Sequence, residues 1–143
     1  MPEINQAGLN LIEEFEGDEL HAYADSGGVE TIGYGHTGDV TPGETITQAQ
    51  AVAYLKGDVA SASEQVAKLI EITLTPNEFS ALVSFEYNTG ALGSSPGVGL
   101  INANQFQEAW DDHLCLYIRD ASGNVLEGLI RRRAAERALF FSA

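Results

Sequence analysis

A glycine-rich stretch near the N-terminus, residues 15–36 (FEGDELHAYADSGGVETIGYGH), constrains the fold more than any other part of the chain. Residues 20–24 and 29–34 are predicted to be short strands, and residues 25–28 have the composition of the turn that joins them. The apolar spacing before this stretch predicts a helix that Gly17 ends. A helix followed by a hairpin is therefore expected at the start of the chain.

A long helix is predicted after the hairpin. Thr47 and Gln50 have the spacing of a capping box, and the apolar residues that follow keep helical spacing over about residues 46–70. Gly57 lies within this helix and costs it about 1 kcal/mol relative to alanine. The glycine therefore indicates a bend or a close packing contact.

The rest of the chain is predicted to be helical with irregular connections. Residues 75–78 (TPNE) combine an N-cap threonine, a proline at the first helical position and a glutamate three residues on. Residues 93–99 (GSSPGVG) are predicted to be a loose connector, after which Asn104 opens another helix. Residues 114–126 are predicted to be extended or irregular, and a last helix is expected from Gly128 to about residue 141.

One hairpin region followed only by helices predicts an α+β fold in a single domain, residues 1–143. Its parts are expected to be a β-lobe at about residues 16–45, the connecting helix at about 46–70 and a helical lobe at about 75–143. A cleft between the two lobes is the natural ligand site of such a fold.

Charge excludes some partners. Seven basic and 21 acidic residues give a net charge of −14, and residues 1–55 contain no lysine or arginine. A polyanion such as DNA and an anionic membrane surface would repel this chain, so nucleic-acid binding is not expected. Membrane insertion is not expected either, because the longest apolar stretches are too short to span a bilayer. The N-terminus, MPEINQAG, lacks the features of a signal peptide, which predicts synthesis as a soluble cytosolic protein. The single Cys115 is predicted to be a buried, small apolar residue.

Two carboxylates and a hydroxyl stand in the hairpin region at Glu16, Asp25 and Thr31. Glycoside hydrolysis needs one protonated carboxylic acid for the leaving oxygen and one ionised carboxylate on the other side of the bond. Spacing alone does not single out this chemistry, because any two acids of a very acidic chain could be spaced alike. The surrounding sequence is more specific.

That sequence resembles the signature of the bacteriophage-type lysozymes, the endolysins of glycoside hydrolase family 24. The matching residues of the hairpin region are Glu16-Gly17, Tyr23-x-Asp25 and Thr31-Ile32-Gly33-Tyr34-Gly35-His36. The resemblance continues through Asp58, residues 79–90 and residues 128–140, so it covers essentially the whole chain.

The resemblance implies roles for these residues. Glu16 is expected to be the general acid, Asp25 to position water or stabilise the oxocarbenium ion, and Thr31 to be a partner for that water. His36 and Asp58 match a supporting pair that joins the β-lobe to the long helix. One of the arginines at 131–133 is expected to approach Glu16, and Arg132 is favoured.

Substrate contacts are expected at Thr37, Phe85 and Asn88. Phe85 and Asn88 are predicted to lie at the end of the helix that follows Thr75, close to the cleft. Aromatic residues at helical spacing can also be core residues, so for Phe85 both interpretations stay open.

The implied function is that of a muramidase. It would hydrolyse the β-1,4 bond between N-acetylmuramic acid and N-acetylglucosamine in peptidoglycan, as a monomer, with no metal or cofactor. It would wait in the host cytoplasm until a holin releases it to the cell wall. The alternative is a non-catalytic module that binds cell wall or chitin on a lysozyme scaffold.

Two features depart from the family pattern. Residues 94–99 interrupt what continues as a helix in relatives, and the chain is acidic where many relatives are basic. We expect the charge to suit work at high ionic strength, where salt screens the repulsion from an anionic wall. A lysis rate that falls steadily from low salt to about 0.5 M would contradict this expectation.

Overall fold

The computed structural model describes residues 3–25 and 27–142. It confirms the α+β class: a two-stranded sheet lies among six α-helices in the described part of the chain. The elements, in order, are α1 (Gln6–Glu16), β1 (Glu19–Ala24), β2 (Glu30–Gly33), α2 (Gln48–Leu69), α3 (Pro76–Thr89), α4 (Pro96–Asn102), α5 (Phe106–Asp112) and α6 (Glu127–Phe140). Short 3₁₀ turns stand at Leu92–Ser94 and Leu114–Leu116.

The chain forms two compact units. The first, called the hairpin unit, is Ile12–Ser61, and the second, called the helical unit, is Met1–Leu11 together with Ala62–Ala143. None of the helices in residues 3–25 and 27–142 combines the length and apolar character that a membrane span requires.

In the hairpin unit, β1 and β2 pair antiparallel, as the sequence predicted to within a residue or two at each end. Tyr23 lies opposite Thr31, and an irregularity in the register separates this pair from the pair of Glu19 with Gly33. Residues 44–46 run along the other side of β1: the N–H of Ala22 donates to the carbonyl of Glu44 at 2.8 Å. Both sides of β1 are thus hydrogen-bonded, which holds the strand firmly.

The capping signals form as predicted. The N–H of Gln50 donates to Thr47 Oγ1 at 3.2 Å, and the N–H of Thr47 donates to Gln50 Oε1 at 3.0 Å. Thr75 and Glu78 make the same reciprocal bonds at the start of α3. Each pair satisfies N–H groups that a helix start would otherwise leave without a partner.

The core of the helical unit lies around α3, which packs against α6. The large apolar and aromatic side chains that are fully buried there are Phe79, Leu82, Phe85, Leu92, Ile101, Trp110, Leu114 and Phe140. Phe140 has ring contacts with Phe106 and Trp110, at centroid distances of 5.1 and 5.5 Å. These contacts tie α5 to α6 through apolar burial.

The prediction of a loose connector over residues 93–99 is wrong, since α4 begins there at Pro96. Ser95 is the N-cap: its Oγ accepts a hydrogen bond from the N–H of Gly97 at 3.1 Å. Gly97 is buried, and a Cβ atom added to it would stand 2.9 Å from Leu114 Cδ2. The residues that suggested a loop are therefore a cap, a first-turn proline and a packing glycine.

Asn104 closes α4 and does not open α5. Its φ is +61°, the left-handed conformation that asparagine tolerates better than most residues. The N–H of Gln105 donates to the carbonyl of Leu100 at 2.8 Å, and the N–H of Asn104 donates to the carbonyl of Ile101 at 3.0 Å. These are the two bonds of a Schellman motif, so the polar side chain belongs to a helix end.

Cys115 is half-buried, whereas the sequence predicted a buried residue. Burial raises the pKa of its thiol, and the negative charge of Asp111 raises it further. The thiol is therefore kept in its protonated, less reactive form.

Replacement by alanine is expected to have opposite effects on stability at two glycines that lie within helices. Gly57 is exposed and a Cβ atom added there would meet nothing within 4 Å, so the packing contact expected at this position is absent from the described residues. A Cβ atom added at Gly8 would stand 2.7 Å from both Ile4 Cγ1 and Ser80 Cβ. Gly57→Ala should raise the free energy of unfolding by about 0.5–1 kcal/mol, and Gly8→Ala should lower it by about 1–3 kcal/mol.

Urea unfolding followed by circular dichroism measures both variants, and each is the control for the other because the chemical change is the same. Equal effects of the two substitutions would contradict the packing described for Gly8.

Candidate active site

The hairpin turn holds Asp25 in a fixed orientation. Asp25 Oδ1 accepts hydrogen bonds from the N–H groups of Gly27 and Val29, at 2.8 and 2.9 Å. The backbone N–H of Asp25 donates to the carbonyl of Val29 at 2.9 Å. The side chain is exposed, and no described residue donates a hydrogen bond to Oδ2. One oxygen therefore fixes the turn while the other faces solvent.

Thr31 is joined to Asp25 through the peptide groups of one residue. Thr31 Oγ1 donates to the carbonyl of Val29 at 2.9 Å, and Val29 also holds Asp25 through its N–H and carbonyl. Thr31 is only 4% exposed, whereas the side chain of Val29 is exposed. Because the hydroxyl proton is committed to the carbonyl, Thr31 Oγ1 can offer a ligand only its lone pairs.

Glu16 is the last residue of α1. Gly17 follows it with a φ of +69°, a conformation that glycine adopts without steric cost, and ends the helix as predicted. The side chain of Glu16 is half-buried. The sharp end of the helix sets the direction in which the chain leaves Glu16 for β1.

Tyr23 is a residue of β1 that interacts electrostatically with both candidate carboxylates. Burial raises the pKa of the Tyr23 phenol, and the negative charges of Glu19, Glu16 and Asp25 raise it further. Glu16 and Asp25 therefore both lie within electrostatic reach of a single hydroxyl on β1. Sequence reasoning did not assign Tyr23 to the site, although Tyr23-x-Asp25 is part of the motif that carries the resemblance.

His36 makes the predicted contact with Asp58 and a second one that was not predicted. Its Nδ1 lies 2.8 Å from Asp58 Oδ2, and its Nε2 lies 3.1 Å from Asp39 Oδ1. The ring stacks on Tyr54 with centroids 4.1 Å apart. Within the hairpin unit, this pair connects the segment after β2 to α2. A supporting role for His36 and Asp58 stays a prediction.

The pKa of His36 predicts a pH dependence of stability. Partial burial lowers this pKa, but the hydrogen bonds to Asp58 and Asp39, together with their charges, raise it more, so that it lies above the ordinary value of 6.5. The folded state thus favours the protonated ring. The stabilisation is complete below about pH 6.5 and is lost as the pH rises through the pKa of the folded protein.

Unfolding free energies of wild type and Asp58→Asn, measured by urea titration between pH 5.5 and 9, check this prediction. At the low end of the range Asp58→Asn should cost about 1–2 kcal/mol, because the carboxylate is one-third exposed. The gap between the two proteins should narrow as the pH rises. A gap that widens with pH would contradict the assignment.

Arg132 lies in a buried polar cluster of the helical unit, together with Arg133, Glu136 and Ser84. Glu136 is 0% exposed and Arg132 is 2% exposed. Glu136 Oε1 accepts from Arg133 Nε at 2.6 Å, and Oε2 accepts from Arg133 Nη2 at 2.9 Å, Ser84 Oγ at 2.6 Å and Arg132 Nε at 3.2 Å. Arg131 is exposed. An action of Arg132 on Glu16 stays a prediction.

The expected substrate contact at Phe85 is wrong. Its side chain is 0% exposed and lies in edge contact with Trp110 and Tyr117, with the Arg133 guanidinium 5.0 Å from the ring centroid. Helical spacing did not reveal which face of α3 Phe85 occupies, and the core interpretation is the right one. Thr37 is exposed and Asn88 is half-buried, so both stay candidate substrate contacts.

Comparisons with known proteins agree on one family. The family model for phage lysozyme matches residues 13–136. The chain is 42% identical over 144 residues to the endolysin of Bacillus phage B103, which covers 97% of this chain and 54% of the relative. It is 37% identical over 144 residues to the endolysin of Acyrthosiphon pisum secondary endosymbiont phage 1, over 98% of this chain and 99% of the relative.

A solved structure, the muramidase domain of SpmX from Asticaccaulis excentricus, covers 100% of both chains with a TM-score of 0.91 and 36% identity. The chain spans about half the length of the Bacillus phage endolysins it matches, 54% and 55%. The family model and the whole-length relatives together show that the chain belongs to the phage lysozyme family.

Proposed function

We propose that this chain is a muramidase that hydrolyses the β-1,4 bond between N-acetylmuramic acid and N-acetylglucosamine in peptidoglycan. The observation that carries the proposal is the arrangement of the hairpin unit, where Asp25 and Thr31 share the peptide groups of Val29 and the charges of both Glu16 and Asp25 reach Tyr23. Relatives named endolysin and a structural neighbour named a muramidase domain support it.

In the proposed reaction Glu16 donates its proton to the glycosidic oxygen as the bond to the sugar breaks. Positive charge develops on the sugar ring, and the ionised Asp25 stabilises it. A water molecule donates its two hydrogens to Asp25 Oδ2 and Thr31 Oγ1, the acceptors that the turn leaves available. The water oxygen forms the new bond to the anomeric carbon, the proton that the water loses passes to Asp25 Oδ2, and exchange with solvent then returns Asp25 to its ionised form and Glu16 to its protonated form. No metal or cofactor takes part in these steps.

The experiment measures reducing ends released from purified peptidoglycan and identifies the new reducing sugar by mass spectrometry. A muramidase leaves N-acetylmuramic acid at the new reducing end. Asp25→Asn should lower the rate by about 100-fold or more. The hairpin should keep its shape in this variant, because the amide oxygen can still accept the two turn hydrogen bonds.

The matched control is Asp18→Asn, which neutralises an exposed acid between α1 and β1 and should leave the rate unchanged. N-acetylglucosamine at the new end would contradict the bond assignment. A wild-type protein that binds peptidoglycan and releases no reducing ends would instead support the non-catalytic wall- or chitin-binding module.

The remaining expectations concern the cellular setting. We infer action on the cell wall after release from the cytoplasm, because the relatives are named endolysins. Release by a holin and activity as a monomer are proposals of the same kind, which rest on the family resemblance.

A further inference from the structure

Tyr23 lies on the part of the hairpin that carries the proposed catalytic groups. It is paired with Thr31 across the two strands, and residues paired in this way have side chains on the same face with Cβ atoms about 5 Å apart. Asp25 follows β1 two residues further along the chain, and its charge, like that of Glu16, reaches the Tyr23 phenol. The phenol of Tyr23 is therefore a neighbour of both groups.

The side chain of Tyr23 is available to a ligand. It is 39% exposed, although Thr31, its partner across the strands, is buried. Among residues 3–25 and 27–142, none makes a hydrogen bond with its hydroxyl. Asp25 Oδ1 already accepts from two backbone N–H groups, so the turn has no need of the phenol for its own stability.

The charges around the phenol keep it protonated. Burial and the carboxylates of Glu19, Glu16 and Asp25 raise the pKa of Tyr23 above its ordinary value of 10. The hydroxyl is thus a hydrogen-bond donor at every pH at which a muramidase would work. A neutral donor beside an aromatic ring suits a pyranose, which offers hydroxyl and acetamido oxygens at its rim and C–H groups on its faces.

We propose that Tyr23 is a substrate-binding residue, which packs its ring against the sugar at the cleaved bond and donates a hydrogen bond from its hydroxyl to that sugar. This inference rests on the proposed function. It adds a contact that holds the sugar against Asp25 and Thr31 before the chemistry begins. A sugar held there has its anomeric carbon within reach of the water that those two residues position.

Two variants separate the contributions of the hydroxyl and the ring. Tyr23→Phe removes only the hydroxyl and should weaken binding of the substrate about 3- to 10-fold. Tyr23→Leu also removes the ring and should weaken it by about 10-fold or more. Because the contact is made before the transition state, KM should rise more than kcat falls.

Binding is measured without turnover in the Glu16→Gln background, by isothermal titration calorimetry with a soluble tetrasaccharide of alternating N-acetylglucosamine and N-acetylmuramic acid. Turnover of the same tetrasaccharide by proteins with an intact Glu16 gives kcat and KM. Tyr117→Phe, which removes a phenolic hydroxyl in the helical unit, is the control and should leave the affinity, kcat and KM unchanged.

The outcomes distinguish this inference from the proposed function. An inactive wild-type protein would overturn the proposed function. An active wild-type protein with Tyr23→Phe and Tyr23→Leu affinities equal to its own would overturn the role of Tyr23 alone. A lower thermal midpoint for either variant with unchanged affinity would also overturn it, because Tyr23 would then stabilise the hairpin only.

Discussion

Glu16→Gln is expected to lower the release of reducing ends from purified peptidoglycan by about 100-fold or more. General acid catalysis contributes about 10²- to 10⁴-fold to reactions of this kind. Glutamine has nearly the shape of glutamic acid but no proton that it can transfer to the glycosidic oxygen. Because the side chain ends α1 at a half-buried position, a substitution that preserves its shape leaves the fold in place.

The control for this variant lies on the same helix. Glu14→Gln removes one negative charge at an exposed position two residues earlier, so its effect on the surrounding potential is similar. We expect Glu14→Gln to keep nearly full activity and both variants to retain the wild-type circular dichroism spectrum. Similar losses of activity in the two variants would mean that charge, and not proton transfer, explains the effect.

Glu136→Ala is expected to destabilise the protein by about 3–5 kcal/mol, a large part of the 5–15 kcal/mol that stabilises a typical domain. The substitution removes the shared acceptor of Arg132, Arg133 and Ser84 and leaves the buried Arg133 guanidinium without the carboxylate that accepts two of its hydrogen bonds. The thermal midpoint should fall by about 10 °C or more in a chain of this length.

A second, more exposed ion pair of α6 shows how much of this loss of stability depends on burial. Arg137 on α6 pairs with Asp111 at 2.7 Å, but their side chains are 37% and 41% exposed. Asp111→Asn should therefore cost less than about 1 kcal/mol. Thermal unfolding of the two variants measures the difference, and comparable losses of stability would contradict the buried character of the Glu136 cluster.

Features that depend on local chemistry could be predicted from the sequence. The hairpin followed from strand-forming residues around a Gly-Gly turn, and the starts of α2 and α3 followed from the pairs Thr47–Gln50 and Thr75–Glu78. In each case a side chain bonds to a backbone group a few residues away. Such contacts join residues that are close in the sequence, so the spacing of the residue types is enough to predict them.

Features that depend on distant contacts could not be predicted. α4 forms where glycine, serine and proline suggested a loop, because Gly97 makes room for Leu114, which is seventeen residues later in the sequence. Phe85 is buried because Trp110 and Tyr117 surround it. The approach of Glu136 to Ser84 likewise joins positions far apart in the chain, whereas the pairing of Glu136 with Arg132 and Arg133 has the four- and three-residue spacing of a helix.

The peptide groups of Val29 have a consequence for how this hairpin can vary. They form hydrogen bonds with both Asp25 and Thr31, while the side chain of Val29 is exposed. Almost any amino acid with a main-chain N–H can therefore replace this valine, but proline cannot. An insertion or deletion of a single amino acid between Asp25 and Thr31 would break the link, so these hydrogen bonds require a fixed chain length and not a particular side chain at position 29.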